Sequence, residues 1–171
     1  VAILNDLGTP CVIHQPSYSM LNRWVERDRL KDTLQELGVG SIAFSPLAQG
    51  MLSTKYLSGV PENSRAAQDK SLSPNMLSEQ ALSNIRQLNE IAKARGQTLA
   101  QMAIAWVLRE GGITTALIGA SKPAQITDCA GAINNLNFTP EDLVDIDKYA
   151  LEEGINLWAL SSETPQGATQ R

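Results

Sequence analysis

The hydrophobic positions of this chain follow two patterns, which predict strands and helices in alternation. Three short runs are almost entirely apolar or β-branched, as is typical of parallel strands that are covered on both faces. These predicted strands are residues 10–15, 40–45 and 114–119. In the segments that follow them, apolar residues recur every three or four positions, which predicts amphipathic helices. The succession of strands and helices indicates an α/β fold built on parallel strands.

Each predicted helix has a stripe of apolar residues that we expect it to bury. The predicted stripes are Leu30, Leu34 and Leu37 between the first two strands, Leu82, Ile85, Leu88 and Ile91 in a long helix that Gly96 ends, Ile126, Ala130 and Ile133 after the third strand, and Leu143, Ile146 and Ala150 in the last helix. The helix from Leu99 to about Arg109 is apolar nearly all round, so we expect it to be deeply packed. Residues 57–74 are rich in Ser, Pro, Gly and Asn and show no period, which predicts a long loop.

The length of the chain limits the fold that it can form. Units of strand and helix build either doubly wound sheets or barrels, and in a barrel the site lies at the carboxyl ends of the strands. The predicted strands end in a polar residue or glycine, at Gln15, Ser45 and Gly119. A complete barrel has eight units and about 250 residues, whereas three units in 171 residues make less than half of one. Residues 1–7 are predicted to be the end of a helix, so we expect the chain to belong to a longer polypeptide.

Composition and charge argue against several classes of partner. Acidic residues outnumber basic ones by 18 to 14, a net charge of −4, and no basic run occurs, so nucleic acid is not an expected partner. No apolar stretch approaches the roughly 18 residues of a membrane span, and no secretory signal opens the chain. Cys11 and Cys129 are far apart and form no CxxC motif. We therefore expect no disulfide and no metal site, and a cytoplasmic location.

The segment after the third predicted strand has residues suited to an anion. Ser121 is predicted to cap a helix whose free amides and dipole attract phosphate, with Lys122 adding a positive charge. Gln125 and Asp128 lie on the same side of that helix. A plainly capped helix with solvated charges explains the same residues.

The segment after the second predicted strand offers a second candidate anion site. Residues 45–50 form a turn bounded by proline and glycine, whose backbone amides could wrap a diphosphate. Lys55 and Arg65 follow and could both reach an anion. A tight connection between a strand and a helix accounts for the turn equally well.

The end of the first predicted strand offers a binding group but no catalytic group. Gln15 has both a donor and an acceptor, which suits a carboxamide. His14 is the only histidine, for which an interior position is expected, and Tyr18 and Tyr56 have no candidate base nearby in the sequence. The motifs of serine hydrolases and zinc proteases are absent. No catalytic residue is therefore predicted in this chain.

Three segments, taken together, resemble the aldo-keto reductase family. They are residues 14–23 (HQPSYSMLNR), 44–56 (FSPLAQGMLSTKY) and 117–126 (LIGASKPAQI). The order of the segments is that of the family, and the resemblance covers nearly the whole chain. Within the family it is similar to the branch of bacterial L-glyceraldehyde 3-phosphate reductases and potassium-channel β subunits. The resemblance implies a (β/α)8 TIM barrel, of which residues 1–160 supply the last three β/α units and the C-terminal helix, with 161–171 as a polar tail.

The resemblance also implies a site for NADPH. The residues that it implies are Gln15 for the nicotinamide carboxamide, Phe44 for stacking on the nicotinamide ring, Ser45, Pro46, Leu47, Ala48, Gln49, Gly50 and Lys55 for the diphosphate, Arg65 for the adenosine half, and Gly119, Ser121, Gln125 and Asp128 for the adenine ribose and its 2′-phosphate. Lys122 would favour NADPH over NADH. Asp128 stands where many relatives have Glu and Cys129 where many have Asn, which weakens the expected adenine contacts.

The family's catalytic Asp, Tyr, Lys and His belong to the first half of the barrel and are not among the segments matched here. As a whole, the resemblance implies an NADPH-dependent reductase of small aldehydes, such as glyceraldehyde 3-phosphate or methylglyoxal. This chain would carry most of its cofactor-binding half and be inactive alone. A nucleotide-binding or regulatory module without turnover and a half-barrel scaffold stay open as alternatives. We expect either a homo-oligomer or association with the first half of the barrel.

Overall fold

The fold is a three-stranded parallel sheet with helices packed against it. The computed structural model describes residues 1–59, 76–111 and 113–152. The strands are β1 (Ile13–His14), β2 (Gly40–Phe44) and β3 (Thr115–Leu117), in the spatial order β1-β2-β3. The α-helices are α1 (Ala2–Asp6), α2 (Trp24–Arg27), α3 (Leu30–Glu36), α4 (Glu79–Ala94), α5 (Leu99–Leu108), α6 (Pro123–Ala130) and α7 (Pro140–Tyr149). Short 3-10 helices are Ala48–Gly50, Thr54–Tyr56 and Gly131–Asn134. The predicted parallel α/β order is confirmed.

The parallel register brings the carboxyl ends of all three strands to the same end of the sheet. Ile13 lies opposite Gly40, and Phe44 lies opposite Leu117. Beyond β1 the pairing continues through an isolated parallel bridge between Ser17 and Phe44. Phe44, the last residue of β2, is therefore paired on both sides.

The main core lies among α4, α5 and the segment that follows β1. Thr98 and Gln101 form a capping box at the start of α5, with each side chain accepting a hydrogen bond from the other residue's backbone amide at 3.1 Å. Residues 102–107 are all buried, so the predicted deep packing of this helix is confirmed. In α4, Leu82, Ile85 and Leu88 are buried as predicted.

The two outer strands differ from the prediction that every strand is covered on both faces. Ile13 in β1 is 55% exposed and Leu117 in β3 is 51% exposed, whereas the residues of β2 are partly or fully buried. The prediction is wrong for β1 and β3 because they form the edges of the described sheet, so that only β2 has a neighbouring strand on each side.

The predicted stripe of α6 is also wrong. Ile126, Ala130 and Ile133 are exposed, and Cys129 and Ala132 pack instead with Ile104 and Ala105 of α5. Polar contacts join this face to α5, because Asp128 accepts hydrogen bonds from the Thr98 hydroxyl (3.1 Å) and from Gln101 Nε2 (2.9 Å). Gly131 also lies close to α5, where an added Cβ would lie only 2.6 Å from Gln101 Nε2.

Smaller differences concern α2 and α3. Helix α2 has four residues and was not predicted, while α3 ends at Glu36 and leaves Leu37 exposed. Most of the predicted loop 57–74 and the polar tail 161–171 lie outside the described residues. Within the described ranges, no helix combines the length and the hydropathy that crossing a bilayer requires.

Core packing on α4 yields a stability prediction. Leu88 is fully buried in the main core, so Leu88→Ala should lower the free energy of unfolding by about 2–5 kcal/mol through lost burial and a residual cavity. Its exposed neighbour Gln87 provides the control, because Gln87→Ala should change that free energy by no more than about 0.5 kcal/mol. Chemical denaturation followed by tryptophan fluorescence measures both. Equal effects would show that α4 does not face a packed core.

Candidate functional site

The predicted binding residues lie on three segments that follow the carboxyl ends of the strands. Gln15 directly follows β1, Ser45 directly follows β2, and Gly119 lies two residues beyond β3. Gln15 and Gly119 are exposed, and Phe44 and Ser45 are partly buried. His14 is exposed as well, so its predicted interior position is wrong. Arg65 lies outside the described residues.

The loop after β2 has an unusual backbone. Ser45, Ala48 and Gln49 have positive φ values of 56°, 49° and 59°, in the left-handed region that side chains other than glycine seldom occupy. Gly50 follows with a φ of 94°. Strained backbone of this kind persists only where the surrounding structure imposes it, and it clusters at functional sites.

Buried residues hold this loop in shape. Met51 and Leu52 are fully buried, and their amides donate to the carbonyls of Ala48 (3.1 Å) and Leu47 (3.2 Å). The Ser53 hydroxyl donates to the Gly50 carbonyl at 2.7 Å. The loop is thus fixed at its base, while Lys55 is exposed beyond it.

After β3, three donors gather on one oxygen atom. Gln125 Oε1 accepts hydrogen bonds from the Ser121 amide (2.8 Å), the Ser121 hydroxyl (3.2 Å) and the Lys122 amide (3.1 Å). Lys122, and not Ser121 as predicted, is the N-cap residue of α6, because Gln125 folds back over the helix start. The donors at this end of α6 therefore converge on an acceptor oxygen, as an anion site requires.

Asp128 faces a neighbouring helix. Its carboxylate accepts hydrogen bonds from the Thr98 hydroxyl (3.1 Å) and from Gln101 Nε2 (2.9 Å), both at the start of α5. The structure thus places the Asp128 side chain on α5, while Ser121, Lys122 and Gln125 remain exposed at the start of α6.

A charged cluster that the sequence did not predict lies next to the segment that follows β1. The Tyr18 hydroxyl donates to Glu26 Oε1 at 2.5 Å, and Arg109 Nη2 donates to the same oxygen at 2.6 Å. Arg109 Nη1 donates to the Tyr18 oxygen at 3.1 Å. Lys31 Nζ lies 3.6 Å from Glu26 Oε1, and the Arg109 guanidinium lies 3.7 Å from the centre of the Trp106 ring. We call Tyr18, Glu26, Lys31 and Arg109 the Glu26 cluster.

The Glu26 cluster shifts the pKa of three of its members. Burial alone would raise the pKa of Glu26, but hydrogen bonds from Tyr18 and Arg109 and the charges of Arg109 and Lys31 outweigh it, so that pKa lies below its ordinary value. Burial, with a contribution from Glu26, raises the pKa of Tyr18 well above its ordinary value. Burial and then the charge of Arg109 lower the pKa of Lys31.

The raised pKa of Tyr18 bears on whether this residue could act as a proton donor. The structure does give Tyr18 a carboxylate partner, although none was predicted nearby in the sequence. A phenol with a raised pKa and a fixed acceptor keeps its proton, so Tyr18 is not suited to donate one to a substrate. Among residues 1–59, 76–111 and 113–152, no group of three or more His, Cys, Asp or Glu side chains could hold a metal ion.

Comparisons with known proteins give one consistent result. The family model described as "Aldo/keto reductase family" matches residues 1–151. Two curated relatives named L-glyceraldehyde 3-phosphate reductase, from Escherichia coli O157:H7 and Escherichia coli strain K12, are each 47% identical over 167 residues. The matches cover 95% of this chain and 48% of each relative, so the chain spans about half their length.

A solved structure supports the same fold. The crystal structure of a thermostable aldo-keto reductase, in complex with the inhibitor epalrestat, matches with a TM-score of 0.58 and 24% sequence identity. The match covers 86% of this chain and 43% of that chain. The three-stranded parallel sheet is consistent with part of a TIM barrel.

The lowered pKa of Glu26 generates a prediction about acid stability. A carboxylate with a lower pKa in the folded chain stabilises the fold above its unfolded pKa of about 4.3, and this contribution is lost as the pH falls through the folded pKa. Glu26→Gln should therefore be less stable than wild type near neutral pH, and the difference should shrink on acidification to about pH 3. Urea denaturation over this range measures it. A difference that stays constant with pH would contradict the ionic role of Glu26.

Proposed function

The chain belongs to the aldo/keto reductase family, and on that premise we propose that it carries the part of a barrel that binds NADPH for the reduction of small aldehydes. The proposal is supported above all by the strained loop 45–50 at the end of β2. The amides of Ala48 and Gly50 donate to the carbonyls of Ser45 and Leu47 at 2.9 Å, and Pro46 has no N–H. We assign the anion to the other amides of this loop, since left-handed residues can turn backbone amides toward one side in a concave, anion-binding arrangement. A diphosphate is an anion of the right size for such a loop.

The segment after β3 offers a site for the 2′-phosphate of the proposed ligand. Ser121 and Lys122 already direct three donors at the side-chain oxygen of Gln125. A phosphate oxygen can replace that acceptor, and the exposed ammonium of Lys122 then adds a charge-assisted contact. We assign the 2′-phosphate of the adenine ribose to this segment, with Gly119 and Asp128 nearby in sequence.

The nicotinamide end of the cofactor is assigned to the residues that end β1 and β2. Gln15 can exchange a donor and an acceptor with the carboxamide, and the partly buried ring of Phe44 can stack on the nicotinamide. The diphosphate lies between this end and the 2′-phosphate at Ser121, and we assign it to loop residues 45–50 together with Lys55. When bound, the reduced cofactor supplies the hydride, and the residues of this chain hold and orient it.

The substrate and the proton donor complete the proposal. The name of the two curated relatives supports a small, phosphorylated aldehyde such as glyceraldehyde 3-phosphate, with methylglyoxal as a dicarbonyl of similar size. The proposed catalytic acid belongs to the first half of the barrel, so we propose that this chain does not reduce aldehydes alone.

The two sheet edges support a role in assembly. Ile13 on one edge and Leu117 on the other are more than half exposed, and the unpaired edges of parallel strands readily take further strands. We propose that the first half of a barrel covers both edges, and that a second copy of this chain does so when that half is absent. A nucleotide-binding module without turnover would keep the same cofactor site.

A charge reversal at Lys122 tests the proposed cofactor site. Lys122→Glu should weaken NADPH binding by at least about tenfold, because the 2′-phosphate would meet a carboxylate in place of an ammonium. NADH lacks this phosphate, so its affinity should change by less than about twofold. Titrations followed by nicotinamide fluorescence measure both affinities. Lys148→Glu, the same charge reversal at an exposed lysine on α7 that pairs with Asp145, is the control and should change neither affinity.

Two outcomes of these titrations would contradict the proposal. If Lys122→Glu weakened the binding of NADPH and NADH equally, the 2′-phosphate would not bind at the start of α6. Aldehyde-dependent oxidation of NADPH by the wild-type chain alone would show that it supplies its own catalytic acid.

A further inference from the structure

The backbone of Phe44 is held by the segment that follows β1. The Phe44 amide donates to the Pro16 carbonyl at 3.0 Å, and the Tyr18 amide donates to the Phe44 carbonyl at 3.2 Å. The backbone N–H and C=O of Phe44 are thus both hydrogen-bonded to residues 16–18. The position of the Phe44 ring, which starts from this backbone, follows the position of that segment.

The side chain of Tyr18 anchors the same segment in the protein interior. Tyr18 is fully buried, and its ring centre lies 5.3 Å from that of Trp106. Its hydroxyl is held at two points, by Glu26 Oε1 and by Arg109 Nη1. One residue thus carries both the contact to Phe44 and the contact to the Glu26 cluster, so Tyr18 connects the two.

The charges of the Glu26 cluster make it sensitive to the loss of one group. Two cations, Arg109 and Lys31, approach the single carboxylate of Glu26, and their side chains are mostly buried. Without that carboxylate the two cations repel each other in a partly dehydrated site, and the Tyr18 hydroxyl loses its acceptor. Substitution of Glu26 therefore removes an anchor of Tyr18 and leaves every residue of the proposed cofactor site in place.

We propose that Glu26 and Arg109, acting through Tyr18, are positioning residues for the nicotinamide end of the cofactor. They hold residues 16–18 against Phe44 and so fix the place of its ring beside Gln15. This inference rests on the proposed NADPH site. Among the described contacts, none connects the Glu26 cluster with residues 119–125, so the proposed 2′-phosphate site is separate from it.

The chain contains a closely matched ion pair away from this segment. Arg95 pairs with Asp142, and its guanidinium lies 3.7 Å from the centre of the Phe138 ring, the same separation as between Arg109 and Trp106. The side chains of Asp142 and Glu26 are 25% and 27% exposed. Asp142→Asn therefore controls for the general effect of breaking a half-buried arginine pair that packs on an aromatic ring.

The test compares two ligands that differ at the nicotinamide end. Adenosine 2′,5′-bisphosphate contains the adenine ribose and its 2′-phosphate but lacks the nicotinamide. Calorimetry measures the affinities of NADPH and of this bisphosphate for wild type, Tyr18→Phe, Glu26→Gln and Asp142→Asn. Tyr18→Phe removes one oxygen atom and keeps the ring, so it provides a folded variant even where Glu26→Gln lowers stability strongly.

The expected result is a selective loss. Tyr18→Phe and Glu26→Gln should bind NADPH about three- to tenfold more weakly, with the affinity for the bisphosphate within about twofold of wild type. Asp142→Asn should leave the ratio of the two affinities unchanged. Arg109→Lys, which keeps the charge but loses the paired hydrogen bonds, should resemble Glu26→Gln.

The contradicting outcomes are distinct. If the variants lose affinity for both ligands equally, or if Asp142→Asn changes the ratio as much, the Glu26 cluster stabilises the fold and positions nothing, while the NADPH site stands. If wild type binds neither ligand, the proposed function itself fails, and the positioning role fails with it.

Discussion

The pairing of Phe44 on both sides is the constraint on which the described structure depends. Its backbone meets residues 16–18 on one side and lies opposite Leu117 of β3 on the other. These contacts join segments that are far apart in the sequence and place the ends of all three strands at one edge of the sheet. The strained loop 45–50 begins at the next residue, so its location is fixed by the same pairing.

Among the helices, α5 contributes most to holding the strand ends in place. Its apolar face fills the core, while Arg109 at its end reaches back to Glu26 on α2 and to Tyr18. Charges in such a position destabilise a fold unless they are paired and hydrogen-bonded. Here the carboxylate, the guanidinium and the phenol satisfy one another, and the guanidinium also lies on the Trp106 ring. The Glu26 cluster thus anchors the segment that follows β1 through the hydroxyl of Tyr18.

The local pattern of the sequence was sufficient for some elements and insufficient for others. The period of α4 predicted Leu82, Ile85 and Leu88 as buried, while Ile91 is partly buried against the same core. The apolar pattern all round α5 was sufficient because this helix packs into two core clusters. The stripe of α6 was wrong because this helix meets α5 through contacts of Asp128 with Thr98 and Gln101, which leave no periodic signal in the sequence. The exposure of Ile13 and Leu117 was missed because composition does not distinguish an edge strand from a central one.

The features of the candidate site, too, were predicted only in part from the sequence. Proline and glycine at 46 and 50 indicated a special turn, but positive φ values at Ala48 and Gln49 are imposed by the buried base of the loop and leave no mark in residue type. Ser121 was recognised as part of a helix start, whereas the return of Gln125 over that start had to be seen in the structure. Glu26 and Arg109 are 83 positions apart, which no local motif can connect.

Chemical-shift mapping by NMR tests most directly whether the strand ends form one site for a phosphorylated dinucleotide. With the isotope-labelled chain, adenosine 2′,5′-bisphosphate should shift amide resonances in residues 119–125 and, through its 5′-phosphate, in residues 45–50. NADPH should shift these together with Gln15 and Phe44. Shifts centred on α4 or α7, with residues 45–50 unaffected by NADPH, would contradict the account.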